Sequence, residues 1–157
     1  MPITKTELAD ARKVWGEALI AIARSYEMDG IKGARSVTEG VLDKIYGYNL
    51  GPVLFKPTMA SGETTFRPTR NGALAYFIGH DIDFPHDSGF GLKNWRTVAS
   101  KTAASFIEGD VAMWMGWVIM TEKDGQVTKV DKSFGYKKDA EGTLRIILHH
   151  SSLPYQR

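Results

Sequence analysis

Apolar residues recur along the first third of the chain at helical spacing. Thr4, followed by Glu7 three residues later, has the spacing of a capping box. Leu8, Ala11, Trp15, Ala18, Leu19 and Ile22 then line one helical face, predicting a helix over about residues 5–27 that stops near Asp29-Gly30. A second helix over about 32–47 carries Val37, Val41, Leu42 and Ile45 until GYNLGP ends it. Next, VLFKPT reads as a short strand, SGE as a turn and TTFRP as the hairpin partner. TRNGALAYFIG predicts a short helix with Thr69 as N-cap and Gly79 at its end, and HDIDFPHDSGFGLKN is a polar loop of a length that usually has a role or moves.

From Trp95 onward the period changes to that of strands. Arg96–Ile107, Val111–Thr121 and Thr143–Ser152 read as strands, with hairpin turns at Lys123-Asp124-Gly125 and Asp139-Ala140-Glu141-Gly142. The near-continuous apolar run from Val111 predicts a central strand buried on both faces, with Gly116 where a strongly curved sheet would bend. The expected architecture is α+β, a single domain over residues 1–157. Its N-terminal helices pack on a strongly curved antiparallel sheet that curls into a half-open cone, whose mouth is a natural small-molecule pocket.

Composition narrows the partners. With 157 residues, 43% of them hydrophobic and 24% charged, the chain can bury roughly two thirds of its unfolded surface. A net charge of +2 gives no reason to expect nucleic acid or an anionic membrane, and Arg67, Arg70, Lys93, Arg96 and Lys101 read as scattered, solvated basic residues. The run VAMWMGWVIM is about half as long as a membrane-crossing helix. There is no hydrophobic leader pattern at the N-terminus, and the absence of cysteine rules out disulfides and thiolate zinc sites, so the cytoplasm is the expected compartment.

The chemistry concentrates in LRIILHHSSLPY, where a core strand ends in two histidines and two serines. Four readings compete. Zinc needs three converging ligands, yet His149 and His150 point to opposite faces of a strand, and HDIDFPHD has no metal spacing. A serine nucleophile lacks the G-x-S-x-G elbow and an orienting carboxylate, although His149 and Ser151 share a face with Cβ atoms roughly 6–7 Å apart. A hydroxyl cradle would add Thr58 and Tyr76 to His149 and Ser151, to hold a small oxyanion or a water. The fourth reading is a strand end that meets solvent, with Thr58 finishing a strand and Tyr76 a core aromatic.

FKPT (Phe55 to Thr58), GALAYFIG (Gly72 to Gly79) and LHHSSLPY (Leu148 to Tyr155), in this order, resemble the iota-class carbonic anhydrases. These are similar in turn to the association domain of calmodulin-dependent protein kinase II and to the wider NTF2-like group. The resemblance spans nearly the whole chain, and HHSSLP is its most specific piece. It implies an NTF2-like cone, a homodimer, and reversible hydration of carbon dioxide to bicarbonate, without a metal or other cofactor in members of the type this sequence looks like. It also implies that Thr58, Tyr76 and Ser151 hold bicarbonate or water, with His149 added by strand alternation.

On that reading Tyr76 and Ser151 align the attacking water, and Thr58 donates to the carbon dioxide oxygen that gains charge. His149 either accepts the proton or holds Ser151 in place. Phe55, Phe77, Trp95, Phe106, Trp114 and Trp117 are candidates for an apolar wall. A ligand-binding or oligomerisation module of the kinase-association type is the alternative. An isomerase-like or cyclase-like enzyme would need an Asp or His base deep in a pocket large enough for a hydrophobic substrate, and the later core strands offer no acid, because Asp110 and Asp131 fall at turn or solvent-face positions.

Overall fold

A computed structural model describes all 157 residues, Met1–Arg157. The first helix, α1, runs over Lys5–Ile45 and is broken at Gly30, whose φ of 68° and ψ of −160° suit glycine far better than a residue with a Cβ. The break falls where the two predicted helices meet. Glu7 N donates to Thr4 Oγ1 at 3.1 Å and Thr4 N to Glu7 Oε2 at 3.2 Å, so the capping box is formed. Leu8, Trp15, Leu19 and Ile22 give the first half its buried face, and Ala34, Thr38 and Leu42 the second.

The short helix α2 spans Arg70–Ile78, with the Thr69 hydroxyl accepting from Gly72 N and Gly79 closing it at φ 63°. The strands are β1 (Leu54–Lys56), β2 (Trp95–Glu108), β3 (Val111–Glu122), β4 (Val127–Lys138) and β5 (Leu144–Ser152). Both hairpin turns form, with Gly125 and Gly142 in the left-handed region. No helix is long and apolar enough to cross a membrane.

The sheet departs from the expected one. It is mixed and open, in the order β1-β5-β4-β3-β2, and it is neither closed nor strongly curved. β1 pairs with β5 in parallel, with Leu54, Phe55 and Lys56 opposite Leu148, His149 and His150. TTFRP is no strand: Gly62–Thr64 forms a 3₁₀ turn, and only Val53 N to Pro68 O and Arg67 N to Phe55 O bridge the two segments. β3 is an interior strand, paired with β4 and β2, but it is not buried on both faces. It lies next to edge strand β2, turning Ala112, Trp114, Val118 and Met120 inward and leaving Met113 and Met115 half-exposed.

Bulges decide which side chains face the core, and two of the three register shifts bear on the polar strand end and on Gly116. In β5, Leu148 opposes Gly135 while Ile146 opposes Tyr136, so Ile147 is an extra residue and the alternation shifts by one. Without that shift, the side that buries Ile146 would receive His150 and Ser152; with it, His149 and Ser151 turn inward. In β2, Ala103 is the extra residue opposite Gly116. Gly116 therefore serves a bulge and not the bend of a strongly curved sheet: a Cβ there would land on the Lys101 carbonyl oxygen. Gly116→Ala is expected to lower stability by at least about 2 kcal/mol, read as a reduced urea midpoint at unchanged slope.

Candidate active site

Parallel pairing of β1 with β5 sends both strands towards the same end of the sheet. Two residues beyond β1, the Thr58 hydroxyl lies 2.6 Å from that of Ser151, which is fully buried. Lys56 Nζ donates to the Ser151 carbonyl at 2.7 Å and reaches Ser152 Oγ at 3.3 Å, holding the two strand ends together.

Tyr76 arrives from α2. Its Oη accepts from the Met59 amide at 3.1 Å, which places it next to Thr58. Burial pushes the phenol well above its usual pKa, and the Met59 amide and the Thr58 hydroxyl offset this only in part, so Tyr76 keeps its proton. Its ring stacks on Phe90 at 5.6 Å and meets Phe55 edge-on at 6.1 Å. Beside it is a cavity of about 130 Å³ lined by Met59, Tyr76, His86, Ser88, Phe90 and Lys93, among others.

The helix that carries Tyr76 is anchored by an ion pair. Arg67 is only 1% exposed, contrary to its reading as a solvated basic residue. It binds both Asp87 carboxylate oxygens at 2.7 and 2.8 Å, donates to the carbonyls of Thr64 and Gly72, and lies over the Phe84 ring. The HDIDFPHD loop is thereby fastened against the start of α2 through Asp87. His80 bonds locally to the Ile78 carbonyl, and nowhere do three His, Asp or Glu side chains gather as a metal-ligand set.

His149 faces inward with Ser151, but its ring nitrogens are engaged elsewhere. Nδ1 lies 2.9 Å from Tyr46 Oη, Trp15 Nε1 donates to the same Oη at 3.0 Å, and Nε2 lies 2.7 Å from Lys132 Nζ. The ring is stacked between Phe55 and Phe134, each 4.6 Å away. Burial first, and Lys132 next, hold the imidazole pKa well below its ordinary value.

Thr58, Tyr76 and Ser151 are thus brought together, while His149 belongs to an adjoining group with Tyr46, Trp15 and Lys132. Of the aromatic residues considered for an apolar wall, Phe55 packs on Tyr76 and Phe77 stacks on Phe55, whereas Phe106 is exposed on the outer face of the sheet. Sequence reasoning missed Tyr46, Arg67, Asp87, Phe90 and Lys132. Lys132 alone carried a clear signal, because it shares strand parity with Val130 and Phe134.

Helices on one face of an open mixed sheet, with the polar cluster where two strands end side by side, define an NTF2-like fold. The chain superposes with a TM-score of 0.61 on a putative calcium/calmodulin-dependent protein kinase II association domain from Xanthomonas campestris, 21% identical, covering 96% of this chain and 88% of that one. Within that class, the chain belongs to the metal-independent carbonic anhydrase family, whose profile matches residues 6–153. A metal-independent carbonic anhydrase of Nostoc sp. (strain PCC 7120) is 54% identical over 155 residues, 99% of this chain and 76% of that protein. The crystal structure of an iota-carbonic anhydrase from a cyanobacterium, complexed with bicarbonate, is also 54% identical and superposes with a TM-score of 0.98, over 99% of this chain and 95% of that one. The activity of the chain is that of its family, carbonic anhydrase without a metal.

Asp87→Asn would leave the buried Arg67 guanidinium without its counter-charge. A loss of about 3 kcal/mol or more is expected in urea unfolding, and a loss near zero would show that the pair does not anchor the loop.

Proposed function

We propose that carbon dioxide hydration takes place where Thr58, Tyr76 and Ser151 converge, with water and bicarbonate held by hydroxyl groups. The contact that carries this reading is the 2.6 Å pair of Thr58 and Ser151 with Tyr76 beside it, buried and protonated. The bicarbonate complex of the cyanobacterial relative supports it.

The three hydroxyls carry three protons. One is used between Ser151 and Thr58, and Tyr76 accepts from Met59 without spending its own. The O–H groups of Thr58 and Tyr76 can both turn towards an oxyanion once it replaces the contact between them. With Ser151 donating to Thr58, the Thr58 proton is free for the carbon dioxide oxygen that becomes negative as the water attacks. Ser151 and Tyr76 align that water. Because the donors are fixed by β1, β5 and α2, little reorganisation is needed at the moment of reaction. Phe55 and Phe90, packed on Tyr76, provide apolar surface for an uncharged linear substrate. The assembly-module alternative rests on a likeness of fold alone.

The homodimer and the cytoplasmic location expected from the sequence belong to the same proposal. Phe106 is opposite Met113 in the β2–β3 register, and with Met115 these exposed side chains make an apolar patch on the outer face. Light scattering is expected to give twice the chain mass, with Met115→Glu shifting it towards one chain.

Thr58→Val, Tyr76→Phe and Ser151→Ala should each lower kcat/KM for hydration by about a hundredfold or more, in chelator-treated protein that still folds. Parent-like rates in all three variants would place the reaction elsewhere.

A further inference from the structure

The hydroxyl site accounts for where an oxyanion is held, but not for where the proton of the attacking water goes. Lys132 is the cross-strand partner of Ser151 in the β4–β5 register and turns to the same buried face. Side chains so paired have Cβ atoms about 4.5–5.5 Å apart. Lys132 is 4% exposed and has no carboxylate within ion-pairing distance. Its Nζ has one hydrogen-bond partner, His149 Nε2 at 2.7 Å, and sits over the Trp15 ring at 4.7 Å. A lysine buried without an acid is unusual, and its chemistry points to an anion or a proton supplied during turnover.

We propose that Lys132, held by His149, accepts the proton released when water adds to carbon dioxide, and that the ammonium so formed is the counter-ion of bicarbonate. This inference rests on the placement of the reaction at the hydroxyl site. A bond forms between the water oxygen and the carbon of carbon dioxide, one water O–H bond breaks, and the proton goes to the Nζ lone pair. Neutral amine, water and carbon dioxide become ammonium and bicarbonate, with atoms and charge balanced. The proton leaves to solvent or buffer as bicarbonate departs.

The tautomer of His149 that fits this role carries its hydrogen on Nδ1 and donates it to Tyr46 Oη. Nε2 then accepts one N–H from Lys132 in both its neutral and charged forms, leaving the rest of Nζ free for the site. His149 is thus a positioning residue, fixed by Tyr46 and Trp15. Burial, and then the nearby Lys56 ammonium, bring the pKa of Lys132 down to about 7, with Asp131 opposing weakly. The titratable neighbours are therefore His149 and His150 on β5, Lys56 on β1, Asp131 on β4 and Tyr46 at the end of α1.

The test is calorimetric titration with bicarbonate at pH 8 in buffers of differing ionisation enthalpy, which counts protons taken up per anion bound. The parent protein should take up close to one proton. Lys132→Met should take up none and bind at least about tenfold more weakly, a loss of 1.4 kcal/mol. Lys132→Arg, which keeps a fixed charge, should bind bicarbonate without proton uptake, and it carries the test if the methionine variant does not fold. Uptake in either variant equal to that of the parent, or no uptake by the parent, overturns the proposal. Because the titration needs no turnover, loss of hydration in Thr58→Val with proton uptake retained supports both readings. Parent-like hydration in all the hydroxyl variants would reject the hydroxyl site and leave proton uptake at Lys132 to be judged on its own.

Discussion

Three residues of parallel pairing hold the site together. Phe55 opposite His149 fixes the register of β1 on β5, and the two chains leave the sheet side by side. Thr58 then meets Ser151, Phe55 covers the His149 ring, and the Met59 amide reaches Tyr76. A slip of one residue would turn Phe55 away from His149 and dissolve each of these contacts. So short a strand is not stable by its own ladder. It is secured by the Lys56 bonds to β5 and by the Arg67 amide on the Phe55 carbonyl. Arg67 and Asp87 then anchor α2 and its tyrosine.

The polar groups of this core divide by charge. The hydroxyl cluster is neutral and can supply donors to an oxyanion without a permanent ion in the apolar interior. Next to it are two bases, Lys132 and His149, buried with no acid between them and both weakened by that burial. For lysine the sign is clear. Its folded-state pKa lies below the ordinary value of 10.5, so the folded state is disfavoured below about pH 7 and gains stability as pH rises from there towards 10.5. A core arranged for stability alone would place a methionine there. That the chain keeps a lysine beside its hydroxyl cluster is what connects the architecture to proton chemistry.

Much of this was legible in the sequence because it is local. The capping box at Thr4 and Glu7, the break at Gly30, the Thr69 cap and the glycine turns depend on residues a few positions apart, and each formed where expected. The three motifs that carried the family resemblance also indicated residues that do come together. What stayed hidden was long-range. VLFKPT pairs with a strand more than ninety residues away, and the nearby TTFRP was a plausible but incorrect partner. The extra residue at Ile147 leaves no mark in composition, yet it decides which histidine and serine face inward. Arg67 looked like any surface arginine because its partner, Asp87, lay in a loop that read as solvated. Lys132 was visible in the alternation of β4, where an inward lysine stands between Val130 and Phe134, but a charged residue is easily assigned to the surface by type.

The most direct test of the account is a crystal structure of the protein soaked in bicarbonate, after chelation. The expected result is a planar anion within hydrogen-bond distance of the Thr58, Tyr76 and Ser151 hydroxyls. An anion bound elsewhere, with these three hydroxyls still bonded only to one another and to the Met59 amide, would contradict it.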